Sequence, residues 1–132
     1  VVEGGRWIRE THGYLSLPLM ARPNSIIAVG ANEQKPDYDF ADSVTFHLFE
    51  LADGATASAR VPTLKGETAL TVMANRDGQK IHVHVEGTTK PWSLVLRNVA
   101  AVQSVEGGAA QVVAQGMCVI PDIETGAVTI QL

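Results

Sequence analysis

From Lys80 to Glu86 the chain alternates without a break: Ile81, Val83 and Val85 fall on one side, His82, His84 and Glu86 on the other. A period of two is the signature of a strand with one face in the core and one in water. The same period returns at Trp92, Leu94 and Leu96, and over Glu67 to Ala74, where Thr68, Leu70 and Val72 share a side. No window of a dozen residues repeats apolar positions at helical spacing without a Gly, a Pro or a β-branched run cutting across it. These two facts confine the chain to an all-β architecture.

The remaining strands follow from turn chemistry. Ser16 to Arg22 and Asn24 to Val29 are short apolar runs separated at Arg22-Pro23. Ser43 to Leu51 is rich in β-branched and aromatic residues, Asp53-Gly54 turns the chain, and Ala55 to Val61 returns as the second arm of a hairpin. Asn75-Arg76-Asp77-Gly78 is a further turn signal. Glu124-Thr125-Gly126 leads into a last strand through Val128, Ile130 and Leu132. Eight or so short strands with no helical crossover predict two antiparallel sheets packed face to face, a β-sandwich. The stretch Ala31 to Asp42, with Pro36 inside it, reads as a long loop or linker. Residues 1–30 then belong to a different sheet from residues 43–132.

Composition narrows the function classes. Of 132 residues, 45% are hydrophobic and 18% charged, enough apolar material for a core in a soluble domain. Ten basic residues against fourteen acidic leave a net charge of -4, and no Lys/Arg cluster forms a track for nucleic-acid phosphates. No apolar stretch reaches the ~20 residues of a membrane helix. The single Cys118 makes no internal disulfide and points to a reducing compartment. Residue one is Val, and the opening Val1-Val2-Glu3-Gly4-Gly5-Arg6-Trp7 lacks the basic start and apolar stretch of a signal peptide. A piece of something longer is the reading that fits.

Several side chains are candidates for chemistry. His82 and His84 share a strand face and can chelate one ion, but a zinc site needs a further ligand, and nothing places His12 or His47 beside them. They read as a solvated face. Asp37, Asp39 and Asp42 could serve as a carboxylate pair or hold calcium, yet the spacing lacks the Gly and distal Glu of a calcium loop. Cys118, between Met117 and Val119-Ile120, reads as a buried structural thiol. Ser16, Ser25, Ser43 and Ser93 show no nucleophile-elbow pattern. Gly4-Gly5 and Gly107-Gly108 open no helix and carry no Lys-Ser/Thr pair, so neither is a phosphate loop. Trp7, Trp92 and Tyr14 raise a sugar-stacking reading, but the phase of Trp92 with Leu94 and Leu96 points it inward; Trp7 is unassigned. The residues thus yield no catalytic, cofactor or metal site. A metal-dependent enzyme built on His82 and His84 and a carbohydrate-binding module remain as rivals to a scaffold.

The run Leu17-Pro18-Leu19-Met20-Ala21-Arg22-Pro23-Asn24-Ser25-Ile26-Ile27 resembles the segment that closes the β-sandwich after the catalytic barrel in glycoside hydrolase family 31. Glu3-Gly4-Gly5-Arg6-Trp7, His12-Gly13, Pro36-Asp37-Tyr38, Phe46-His47-Leu48-Phe49 and Leu96-Arg97-Asn98-Val99 look like its bacterial α-xylosidase branch. The resemblance runs to about Val99. It implies that residues 1–30 are the last strands of a proximal C-terminal sandwich and residues 31–132 the distal one. It implies a parent that hydrolyses terminal α-linked xylose with two barrel aspartates and a covalent intermediate. No Asp here matches either motif, and a barrel needs ~250 residues. The resemblance therefore implies a non-catalytic fragment without cofactor, in a bacterial cytoplasm. Its partner would be the missing barrel or a second copy in a homo-oligomer, with no nucleic acid and no membrane.

Overall fold

A computed structural model describes residues 2–87, 90–122 and 126–132. Among these residues there are ten strands and no helix. They are β1 (Ser25–Val29), β2 (Val44–Phe49), β3 (Thr56–Pro62), β4 (Thr68–Asp77), β5 (Lys80–Glu86), β6 (Trp92–Arg97), β7 (Ser104–Glu106), β8 (Gly108–Val113), β9 (Gly116–Pro121) and β10 (Ala127–Gln131). They form two five-stranded sheets. The first runs β1-β2-β6-β9-β8 and the second β3-β4-β5-β10-β7.

The two sheets face each other across one apolar layer. Val44, Phe46 and Leu48 of β2, Leu94 and Leu96 of β6, and Val119 of β9 point into it from the first sheet. Leu70, Val72, Ile81, Val83, Val128 and Ile130 meet them from the second. Every one follows the period of two, so the sequence pattern and the core coincide. Trp92 is buried and stands edge-on to Phe46, with ring centroids 6.1 Å apart. The inward phase expected for it holds.

Several expectations need correction. Ser16 to Arg22 forms no strand. A strand needs a neighbour for its backbone groups. The backbone bonds within residues 2–22 are local, from Ser16 N–H to the Gly13 carbonyl and from Leu19 N–H to that of Leu17. Residues 25–29 do not lie in a separate sheet: β1 pairs antiparallel with β2, Ser25 opposite Phe49 and Val29 opposite Thr45. Asn75 to Asp77 continue β4 rather than turning. Gly78 takes a φ of 57°, leaving a two-residue loop between Asp77 and Lys80, which pair. The sheets are not wholly antiparallel either, because β2 and β6 run parallel, Phe46 beside Leu94. The expected Asp53-Gly54 turn is present, with Gly54 at a φ of 71°. Most of the Glu124-Thr125-Gly126 turn lies outside the described residues.

Candidate functional site

The outward surface of the second sheet carries the histidine pair. His84 Nε2 donates to Glu86 Oε1 at 3.2 Å, and His82 Nδ1 lies 3.1 Å from the Thr129 hydroxyl on β10. Both are exposed. The alternation of β5 puts them there, and each has already found a local partner. His12 is elsewhere, bonded to Glu10 at 3.0 Å and to Ser16 at 3.2 Å. His47 sits on the opposite sheet. Among the described residues no three His, Cys, Asp or Glu side chains converge on a point that could hold a metal ion.

The acidic loop is also locally committed. Asp39 accepts from Lys90 and from the Ala41 N–H at 3.1 Å. The Lys90 bond, with the Ala41 N–H behind it, holds the Asp39 carboxyl below its usual range, and Asp39 in turn raises Lys90. Asp42 accepts from the Ser43 hydroxyl. Asp39 reaches a cleft of about 390 Å³ between this loop and the β3–β4 turn. Tyr38 and Phe40 line it in an edge-to-face pair 5.0 Å apart, with Leu64, Lys65 and Glu67 opposite. Asp37 and Asp42 do not line it.

Among the candidate nucleophiles, Cys118, Ser25 and Ser93 have no base as a partner, whereas the Ser16 hydroxyl lies 3.2 Å from His12 Nδ1, on an exposed segment outside both sheets, and the Ser43 hydroxyl donates to Asp42. Cys118 is buried, as expected, with Val95 and Gln111 as its cross-strand partners, neither of them a base. Ser93 meets the Thr45 hydroxyl at 2.9 Å, and the Ser25 hydroxyl donates to the Arg22 carbonyl at 2.6 Å. Trp7 and Tyr14 are fully exposed on the segment before β1 and are not part of either sheet.

The feature that residue-by-residue reading missed is the outer face of the first sheet. Cys118 is buried there, not in the central layer, and so is Val95 beside it. Ile27, His47, Val95 and Cys118 form a row across four strands. Arg97 lies with its guanidinium 5.3 Å from the Phe49 ring centre and 3.4 Å from His47 Nδ1. Desolvation, with Arg97 adding to it, lowers the His47 pKa. The sequence signal was the unbroken apolar run Met117-Cys118-Val119-Ile120, which marks a strand buried on both sides.

The described residues define a two-sheet, all-β sandwich domain. Residues 39–132 match the family described as the α-xylosidase YicI C-terminal domain, and the chain belongs to that family. It is similar to the α-xylosidase XylQ of Lactiplantibacillus pentosus, 29% identical over 85 residues, which cover 64% of this chain and 11% of that protein. It is also similar to an α-xylosidase of Emericella nidulans, 46% identical over 35 residues, 26% of this chain and 4% of that protein. The matched stretches thus span about a tenth or less of the length of these relatives.

Proposed function

We propose that this chain is the non-catalytic C-terminal β-sandwich portion of a retaining α-glycosidase that removes terminal α-linked xylose. The bond-breaking aspartates belong to a barrel elsewhere in a longer polypeptide. The family match over residues 39–132 carries the reading. The local commitment of Asp39 and Asp42 supports it, because retaining hydrolysis needs two carboxyls about 5–5.5 Å apart across a bound sugar. Residues 25–132, which include β1 in the first sheet, act as the distal sandwich. Residues 2–24, which carry exposed Trp7, Tyr14, Leu15, Leu17 and Leu19 and make no strand, are the end of the domain before it. The full protein works in a bacterial cytoplasm and forms a homo-oligomer.

The rival sugar-binding reading loses its best-placed tryptophan, since Trp92 packs on Phe46 inside the sandwich. The test is to express the whole open reading frame and the 132-residue chain side by side and assay both on an aryl α-xyloside. The whole protein cleaves it and the 132-residue chain does not. Cleavage by the short chain, or none by the long one, overturns the proposal.

A further inference from the structure

Among the described residues, Met73 is the one large apolar side chain at an outward position on the strands of the second sheet, and it is 50% exposed. Its cross-strand neighbours are Ser58 on β3 and His84 on β5, and the face around it carries Arg60, Asn75, Glu86 and Thr129. A thioether surrounded by polar groups and water gains little by packing. It does bring a soft donor to the histidine pair.

Register sets the three donors side by side. Met73 stands directly opposite His84 in the β4–β5 pair, where Cβ atoms lie about 4.5–5.5 Å apart. His82 is two residues from His84 on the same face, about 7 Å along the strand, and diagonal to Met73. The pair reads as a plain solvated face in the sequence because its third donor belongs to a different strand.

The hydrogen bonds of the two rings leave one nitrogen of each for an ion. His84 Nε2 donates to Glu86 Oε1 at 3.2 Å, so the lone pair is on Nδ1. His82 Nδ1 lies 3.1 Å from the Thr129 hydroxyl, and in the tautomer that donates to it the lone pair is on Nε2. Metal-binding histidines characteristically give one ring N–H to a carboxylate or another oxygen and ligate through the other nitrogen. The carboxylate behind His84 also makes that ring the more basic ligand.

The donor set selects the ion. Among the described residues no third His, Cys, Asp or Glu joins the pair, so the four nitrogen, thiolate or carboxylate ligands of a structural zinc site are not assembled. Two neutral imidazoles and a thioether suit a soft monovalent cation, and thioether ligation favours Cu(I) over zinc, calcium or magnesium. We propose that Met73, His82 and His84 form a binding site for monovalent copper on the outward face of the β3-β4-β5-β10-β7 sheet. The site is independent of the xylosidase reading.

Acylation by diethyl pyrocarbonate tests it in the protein expressed from its whole open reading frame, because the reagent attacks the imidazole lone pair that the ion occupies. With free Cu(I) buffered by bicinchoninate in anaerobic ascorbate, His82 and His84 slow together on the order of tenfold, read residue by residue by mass spectrometry, while His12 keeps its rate. The Met73→Leu variant, altered at an exposed position, needs about ten times more free Cu(I) for the same protection, and its response to Zn(II) matches that of the parent. Unprotected histidines, or protection of one without the other, overturn the proposal. So does slowing shared by His12, which is adventitious copper on the surface, and so does protection indifferent to the loss of Met73. An equal loss of Zn(II) and Cu(I) protection in Met73→Leu also overturns it, because the thioether would then not be a selective ligand. The aryl α-xyloside assay does not read this site, so the two proposals fail separately.

Discussion

The hydroxyl of Tyr38 lies over Gly30, in the space where any larger residue would place its Cβ. Gly30 follows β1 and Tyr38 belongs to the long loop before β2, so this contact folds the loop back onto the strand it left. The conformation of Gly30 is not the left-handed one; the requirement is room alone.

Gly30→Ala should therefore displace the Tyr38 hydroxyl, the far end of a movable side chain, and destabilise the chain by no more than about 1 kcal/mol. In a Tyr38→Leu background the same change should be neutral or slightly stabilising, because Ala narrows the unfolded ensemble. Urea unfolding of the four proteins of the cycle measures the coupling. Additive effects would show that the ring does not fill the space over Gly30.

Phe46 is fully buried between Trp92 and the second sheet. Its ring bridges the layers at the parallel β2–β6 pair, where Leu94 is its partner. Phe46→Ala removes the largest fully buried side chain, and the expected loss is about 3–5 kcal/mol. The same truncation at Met73, exposed on the second sheet, should fall within about 0.5 kcal/mol of the parent chain. Comparable losses at the two positions would show that the central layer is not where stability resides.

What the sequence disclosed and what it hid follow from one difference. Strands with one wet face announce themselves. Lys80 to Glu86 has the same bounds as β5, and the inward phase of Trp92 could be read from Leu94 and Leu96. β9 hid because Met117, Cys118 and Val119 are all buried, so nothing alternates. β8 hid because Ala109-Ala110-Gln111 is an exposed edge with weak side chains. Asn75 to Asp77 look like a turn by residue type, yet pairing with β5 draws them into β4. Ser16 to Arg22 looks like a strand, and its apolar residues lack an opposing edge to pair with. The histidine pair was legible as a solvated face because β5 alternates. The apolar outer face of the first sheet was not, because it is assembled from five strands whose order the sequence does not state.

His47 sets a pH dependence. Its pKa is lowered from the usual 6.5, first by desolvation and then by the neighbouring Arg97. Across the strands it faces Ile27 on β1 and Val95 on β6, neither able to offset the charge. As pH falls through 6.5 the unfolded chain takes up this proton before the folded one does. The unfolded state then binds more protons, so stability declines as pH drops, until the folded-state pKa is passed and the decline stops. Replacing His47 by Gln should remove that part of the slope, as read from denaturant midpoints at successive pH values. An unchanged slope below pH 6.5 would show that His47 is protonated as readily in the folded chain as in the unfolded one.

Asn24 fixes how the preceding segment enters the sandwich. It holds a left-handed backbone, φ 58°, immediately before β1. Its N–H donates to the Phe49 carbonyl at 2.8 Å, and its side-chain oxygen accepts from the Ala52 N–H at 2.7 Å. Three substitutions separate these contributions. Asn24→Asp keeps the acceptor and tolerates the conformation, so it should cost least. Asn24→Gly keeps the backbone freedom and loses the acceptor, a loss of about 0.5–1.5 kcal/mol. Asn24→Ala loses both and should cost roughly 1–2 kcal/mol more than Gly, the penalty of a Cβ in the left-handed region. The order Asp, Gly, Ala in denaturant midpoints checks the scheme. If Ala is no worse than Gly, the left-handed turn is not what sets the entry angle, and the bond to Ala52 alone would hold β1 in register with β2.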